Sequence, residues 1–261
     1  MCGIIGRWSS NQKIDRELFH CMRDTLTHRG PDGFGSYFDP DVNIALGHRR
    51  LSFLDLSETG TQPMCNEDRN VWLTINGEIY NYVELRALLI QKGHHFSSST
   101  DSEVLVHAYE EWGMDMLCRI EGMFAFGLWD KRKNKLILAR DRFGIKPLYY
   151  YVNPAGDLVF ASEIKAIIED RSIKRVLDYE SMCNFFTYRY VPSPKTIYKN
   201  IYKLPPAHYA EFSAPANFVV KCYYELKTEN KLIGSKEVFE KAEELIQDSV
   251  KNHIRSEVPV G

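Results

Sequence analysis

The chemistry in this sequence starts with the cysteine at position 2, inside Met1-Cys2-Gly3-Ile4-Ile5-Gly6. Removal of Met1 would make Cys2 the first residue, with its thiol and its own α-amine in one residue. An α-amine titrates at about 8 in ordinary surroundings. It can take the thiol proton, directly or through a water, without a partner histidine. Attack of the sulfur on an amide carbonyl would create an oxyanion, which needs donors aimed at it. The side-chain amide of Asn76 and the backbone N–H of Gly77, at the expected end of a strand, offer two. An amino-acid substrate would also need its ends held. Arg50 suits a carboxylate through paired hydrogen bonds, and Glu78 and Asp101 suit an ammonium.

Each of these residues also has a plainer reading. Cys2 fits a short buried strand, because Cys and Ile are among the residues most often buried. Arg50 fits a surface ion pair, which contributes little. Asn76-Gly77 is the strongest short hairpin signal. Asp101 fits the positive end of a helix, and His28 fits a satisfied core histidine. Spacing alone leaves both sets of readings open.

The elements around these residues follow from periodicity. Ile14, Leu18, Met22 and Leu26 predict a helix over 14–27, stopped by Gly30-Pro31. Residues 42–54 read as a strand or strand pair, and 71–75 as a strand running into Asn76-Gly77-Glu78. Asn81 with Glu84 predicts a capped helix ending at Gly93, carrying Leu85, Leu88 and Leu89. Thr100-Asp101-Ser102-Glu103 is a capping-box pattern before the next helix. Short strands are expected at 123–129, 135–141, 148–152 and 158–161, the last two joined by a turn at 153–157. Helices separated by hairpin-connected strands predict an α+β layer architecture. Residues 227–234 read as a polar linker, and Ser235 as the cap of a helix with Val238, Ala242, Leu245 and Ile246 at helical spacing. The apolar run at 258–261 reads as the start of an interrupted strand.

A formal net charge of −2, with scattered lysines and arginines, argues against a nucleic-acid or membrane-surface partner. No apolar run reaches the roughly 20 residues of a membrane span, and the first residues lack a secretory signal pattern. The six cysteines form no CxxC pair and no Cys/His metal spacing, so no metal is expected. Reduced thiols in a cytoplasmic protein are the simplest reading.

Taken together, MCGIIG, HRGPDGFG at 28–35, GHRRLSFLDLS at 47–57, QPM at 62–64, NGEIYN at 76–81, TDSEV at 100–104, EGMFAFGLWD at 121–130, RDRFGIKPLYY at 140–150 and FASEIKA at 160–166 resemble the class II glutamine amidotransferase domain. Within that family the wording is most similar to the glutamine-hydrolysing asparagine synthetases. The resemblance runs in order over about residues 2–210. It implies an N-terminal-nucleophile hydrolase fold: a four-layer αββα sandwich of two mainly antiparallel sheets. It also implies hydrolysis of glutamine to glutamate and ammonia through a thioester on Cys2, with its freed amine as base. Asn76 and Gly77 then match the oxyanion hole and Arg50 the carboxylate grip. Leu54 lies in the same pocket-forming segment, and Glu78 and Asp101 match the positions that hold the substrate amine. Residues 28–33 match a loop near the pocket.

The same resemblance divides the chain into a glutaminase domain at 1–226, a linker at 227–236, and the first helix and strand start of a truncated α/β synthetase domain at 237–261. Glutamine hydrolysis needs no cofactor in this family. ATP and Mg are expected only for the missing synthetase domain, which would deliver the ammonia to ATP-activated aspartate. This chain is thus expected to hydrolyse glutamine but not to adenylate aspartate. A homodimer is expected by family analogy. The rival readings are an amidotransferase that aminates a sugar or other acceptor, the same nucleophile used on another amide, and a non-catalytic binding module that keeps the fold.

Overall fold

The structure is a computed structural model describing residues 1–9, 13–39, 41–52, 57–213, 217–228 and 235–254. In chain order its main elements are β1 (Gly3–Trp8), α1 (Arg16–Asp24), β2 (Gly33–Phe38), β3 (Ile44–Arg50), β4 (Met64–Cys65) and β5 (Val71–Ile79). Then come α2 (Tyr82–Gln91), α3 (Glu103–Trp112), α4 (Met116–Arg119), β6 (Gly122–Asp130), β7 (Lys135–Arg140), β8 (Tyr149–Val152) and β9 (Leu158–Ala161). The last are α5 (Ile164–Ile168), α6 (Tyr179–Tyr188), β10 (Ile201–Lys203), β11 (His208–Phe212), β12 (Phe218–Cys222) and α7 (Ser235–His253). The strands form two sheets, ordered β10-β8-β9-β1-β3-β2 and β12-β11-β7-β6-β5-β4. Every strand pair in both sheets is antiparallel.

Two adjacent isoleucines show how strand alternation builds the layers. Ile4 is buried between the sheets with Trp8, Leu46, Trp129 and Phe160. Ile5 points the other way, against Phe19 and Met22 of α1 and Ile167 of α5. On the far side, Val71, Leu73, Ile75 and Ile79 of β5 bury against Leu85 and Leu89 of α2 and Val104, Leu105 and Ala108 of α3. Each large apolar side chain removed from water this way contributes about 1.5–3 kcal/mol. The result is helix, sheet, sheet, helix: the αββα order expected from the sequence. No described helix is long and apolar enough to cross a membrane.

Several local expectations are corrected. The first helix is shorter than 14–27; Asp15 caps it through a 3.1 Å bond from Leu18 N–H, and turns at 25–29 replace its last residues. The 42–54 segment is one strand, β3, and residues 53–56 lie outside the described residues. Asn81 precedes α2 but does not cap it: its amide donates to Arg119 O at 2.9 Å and its carbonyl accepts from Glu121 N–H at 3.0 Å. Linking α2 to the end of α4 took precedence over the cap. At α3 the capping box half-forms, with Glu103 N–H reaching Thr100 Oγ1 at 3.4 Å. The Glu103 carboxylate instead accepts from Ser97 N–H and Ser98 N–H, both at 2.7 Å, and so ties down the preceding loop. Asn76-Gly77 is neither a hairpin turn nor a strand end: both residues lie inside β5, opposite Ala125 and Phe124 of β6.

Candidate active site

The sequence places Cys2 immediately before β1, and the sheet places it beside the end of β3. Gly3 pairs with Arg49, so the chain after Arg50 passes the thiol. Leu51 N–H donates to Cys2 Sγ at 3.4 Å, and the thiol donates to Leu51 O at 3.6 Å. Arg29 fixes the other side of the residue: its Nε–H donates to Cys2 O at 2.9 Å, while its guanidinium pairs with Glu163 at 3.0 Å. Burial pushes the thiol pKa up, and the nearby Glu78 and Asp101 carboxylates push the same way against the Leu51 N–H. The sulfur is therefore a thiol awaiting a base. Around the chain's present amine, on Met1, burial comes first in pushing the pKa down, with help from Arg29 and Lys146.

Cys2 opens onto a cleft of about 390 Å³. Its walls include Arg50, Gly77, Glu78 and Asp101, four of the residues singled out from sequence. The β5 edge explains the wall's character. β4 reaches only Trp72 and Leu73, so the outward N–H groups beyond them have no partner strand. Ile75 N–H donates to Gln62 Oε1 at 2.7 Å, and Ile79 N–H donates to Asp101 Oδ2 at 2.7 Å. Alternation puts the Gly77 N–H on the same edge, midway between these two. Glycine is required there. A Cβ on residue 77 would stand 2.5 Å from Met123 O and 2.7 Å from Phe124 Cα, both backbone of β6.

Asn76 does not line the cleft; it is buried on the opposite face of β5 from Gly77. Its Nδ2 has no hydrogen-bond partner among the described residues. An orphaned buried amide costs about 1–3 kcal/mol, so it points to a role that the free protein does not satisfy. Asp101 is buried at the start of α3 and also accepts from Ser102 Oγ at 3.2 Å. Its pKa is pushed up, first by burial. Glu78 is pushed up further, by burial and then by Asp101. Two carboxylates in one cleft, Asp101 buried and Glu78 half-buried, form a site for a cation. Arg50 lines the same cleft and donates to Ser57 O at 2.8 Å. Leu54 lies outside the described residues. His28 is not a core histidine: half-exposed, it sits 2.9 Å from Glu163 and beside Lys165.

Sequence reasoning passed over other wall residues: His48, Leu51, Gln62, Thr100 and Ser102. Gln62, Thr100 and Ser102 were visible inside QPM and TDSEV, but their only signal was that company. His48 is fully buried and held neutral, its pKa pushed down to about 3 by burial and then by Arg50. Its Nε2 lies 3.2 Å from Ile75 O, bridging β3 of one sheet to β5 of the other. Lys146, from RDRFGIKPLYY, is buried with its pKa lowered by burial; the Glu78 and Cys2 charges oppose that shift.

A family model described as a glutamine amidotransferase domain matches residues 1–224. Asparagine synthetase [glutamine-hydrolyzing] 1 of Bacillus subtilis is 36% identical over 265 residues, covering 100% of this chain and 41% of that protein. A putative asparagine synthetase [glutamine-hydrolyzing] 2 of Methanocaldococcus jannaschii is 35% identical, covering 100% of this chain and 54% of that protein. The chain thus spans about half the length of the curated relatives it matches. Among solved structures, the glutamine phosphoribosylpyrophosphate amidotransferase of B. subtilis superposes with a TM-score of 0.60 at 19% identity, over 85% of this chain and 49% of that one. An allosteric regulatory enzyme of purine biosynthesis gives 0.62 at 20% identity, with the same coverage of both chains. These likenesses concern the fold, an α+β sandwich of two antiparallel sheets between helices. The matches run through the cleft and both sheets, and by them the chain belongs to the glutamine amidotransferase domain family, as a homologue of the amidotransferase part of asparagine synthetases.

Proposed function

We propose that this domain hydrolyses glutamine with Cys2 as nucleophile, after removal of Met1. The observation that carries the reading is convergence: the thiol, the open N–H edge at Gly77, Arg50 and the Glu78 and Asp101 carboxylates all line one cleft. Arg50 takes the glutamine carboxylate. Glu78 and Asp101 take the ammonium. This fixes the side-chain amide over the sulfur. The Cys2 amine accepts the thiol proton as sulfur bonds to the amide carbon. The oxyanion is held by the Asn76 amide and the Gly77 N–H, each worth about 2.7–4 kcal/mol in comparable sites. Collapse breaks the C–N bond, the amine's proton leaves with ammonia, and a thioester remains. Water then attacks the thioester carbon and passes a proton to the amine; the C–S bond breaks, the sulfur takes that proton, and glutamate is released. No cofactor enters these steps.

In the whole protein we assign the ammonia to ATP-activated aspartate, with ATP and Mg bound outside residues 1–226. The synthetase relatives support that acceptor over a sugar. The boundaries follow the same reading: linker at 227–236, synthetase elements from 237. Six free thiols suit the cytoplasm, and a homodimer remains part of the proposal. The test is a glutaminase assay on the chain and on Cys2→Ala, with intact mass reporting loss of Met1. Ammonia release by the wild type alone supports the reading. Equal inactivity of wild type lacking Met1 and Cys2→Ala would favour a binding module.

A further inference from the structure

Helix α3 carries a second cluster, about two turns from its Asp101 end. His107 is 1% exposed, and neither ring nitrogen has a hydrogen-bond partner among the described residues. Its Nδ1 stands 3.4 Å from Glu110 Oε2 and 3.8 Å from Glu67 Oε2. His94, from the loop after α2, places its Nδ1 4.0 Å from the same Glu110 oxygen. That oxygen is buried and also lacks a hydrogen bond, while Glu110 Oε1 accepts from Asn66 at 2.6 Å and Arg132 at 3.0 Å. Ligand-type atoms of Glu67, His94 and His107 all lie within 4.8 Å of one another.

These separations are informative. Side chains that simply hydrogen-bond close to about 2.9 Å. Four ligands held at about 2.0–2.1 Å from a tetrahedral ion stand roughly 3.3–3.4 Å apart. The inward separations of 3.4, 3.8 and 4.0 Å exceed hydrogen-bond length and are near, though wider than, that spacing. The outward atoms agree. His107 Nε2 faces Glu103 Oε1 at 3.8 Å, and His94 Nε2 faces Glu111 Oε2 at 3.5 Å. Each imidazole thus has one nitrogen toward the centre and the other facing a separate carboxylate that could close to a hydrogen bond once an ion fixes the ring.

We propose that Glu67, His94, His107 and Glu110 bind a zinc-class divalent ion, with Glu103 and Glu111 orienting the two imidazoles. Two nitrogen donors select zinc over magnesium or calcium, which take oxygen ligands. Two carboxylates and two neutral imidazoles balance a divalent charge. Four protein ligands make a closed, structural site. The ion would join the turn after β4, the loop after α2 and the body of α3, whose first turn follows Asp101. The ligands are scattered from 67 to 110 without a local motif, which is why the sequence predicts no metal.

The test uses the full chain, stripped of metal, equilibrated with zinc, and desalted before elemental analysis. About one zinc per chain should remain, the melting temperature should rise with zinc but not magnesium, and cobalt should give tetrahedral absorption bands. His107 is too buried for a clean variant. Glu67→Gln and His94→Gln lie nearer the surface and should weaken zinc binding by roughly tenfold or more. No retained zinc in the wild type would overturn the proposal, leaving a buried imidazolium among carboxylates. Retention undiminished in both variants would overturn it too, moving the ion to another site such as the free thiols.

Discussion

The backbone of one residue, Leu51, holds the Cys2 sulfur in both directions: its N–H donates to Sγ at 3.4 Å and its carbonyl accepts the thiol at 3.6 Å. A serine hydroxyl can keep both contacts. Cys2→Ser is therefore expected to fold like the wild type and to lose at least about a thousandfold in glutamine hydrolysis, since a weaker nucleophile sits in an unchanged site. Thermal unfolding and ammonia release measured on one preparation check both halves. A variant retaining activity within tenfold would remove Cys2 from the mechanism.

Gly77 combines structure and chemistry at one position. A methyl group there meets the β6 backbone at 2.5 and 2.7 Å, and backbone cannot swing aside as a side chain can. Gly77→Ala should cost about 1–3 kcal/mol of stability and lower kcat, because β5 must shift from β6 and carry its N–H edge with it. Denaturant melts beside steady-state kinetics would decide. An alanine variant with unchanged stability would contradict the close packing.

How much of this was readable beforehand differs by residue. Ile4, Ile5 and β5 were legible because alternation and apolar burial are local properties. Arg50, Glu78 and Asp101 were legible by charge type, and the cleft does gather them. Asn76-Gly77 was misread locally as a turn or strand end, because pairing with β6 overrides Asn-Gly turn preference and no local pattern reports a neighbouring strand. Asn81 was misread as a helix cap for the same reason, its partners lying at Arg119 and Glu121. His48 and Gln62 act through bonds to β5 made across the fold, which a single sequence does not display. Hairpin pattern and apolar faces carry only an α+β layer architecture; the αββα order came from the family resemblance, and the strand orders within each sheet emerge only from the structure.

Asn76 offers a sharper test of the oxyanion assignment. Its amide nitrogen is buried without a partner, and Asp at this position would present an acceptor where a donor is needed. Asn76→Asp and Asn76→Ala should both lower kcat by about 100- to 1,000-fold while leaving KM within a few-fold. A change confined to KM would make Asn76 a substrate-binding group instead.

Glu78 lets stability and binding be set against each other. Its pKa is pushed up to about 8, from an ordinary value of 4.5, by burial and by Asp101. Between these values the folded protein holds a proton that the unfolded chain has released, so stability falls as pH rises from about 4.5 to 8. Glu78→Gln removes Glu78's share of that dependence and leaves the share of Asp101, pushed up to about 6 by burial, at lower pH. The variant should match the wild type near pH 4 and exceed it by about 1–3 kcal/mol above pH 8. Glutamine binding should move the other way, with KM rising roughly tenfold or more as a charged partner for the ammonium is lost. Thermal melts across pH, with and without glutamine, measure both effects. A wild-type stability that stays flat between pH 5 and 8 would show that Glu78 is ionised throughout, already paired with a cation such as the Lys146 ammonium, whose charge opposes its shift. The carboxylates would then be neutralised before substrate arrives, and the ammonium-binding assignment would pass to Asp101 alone.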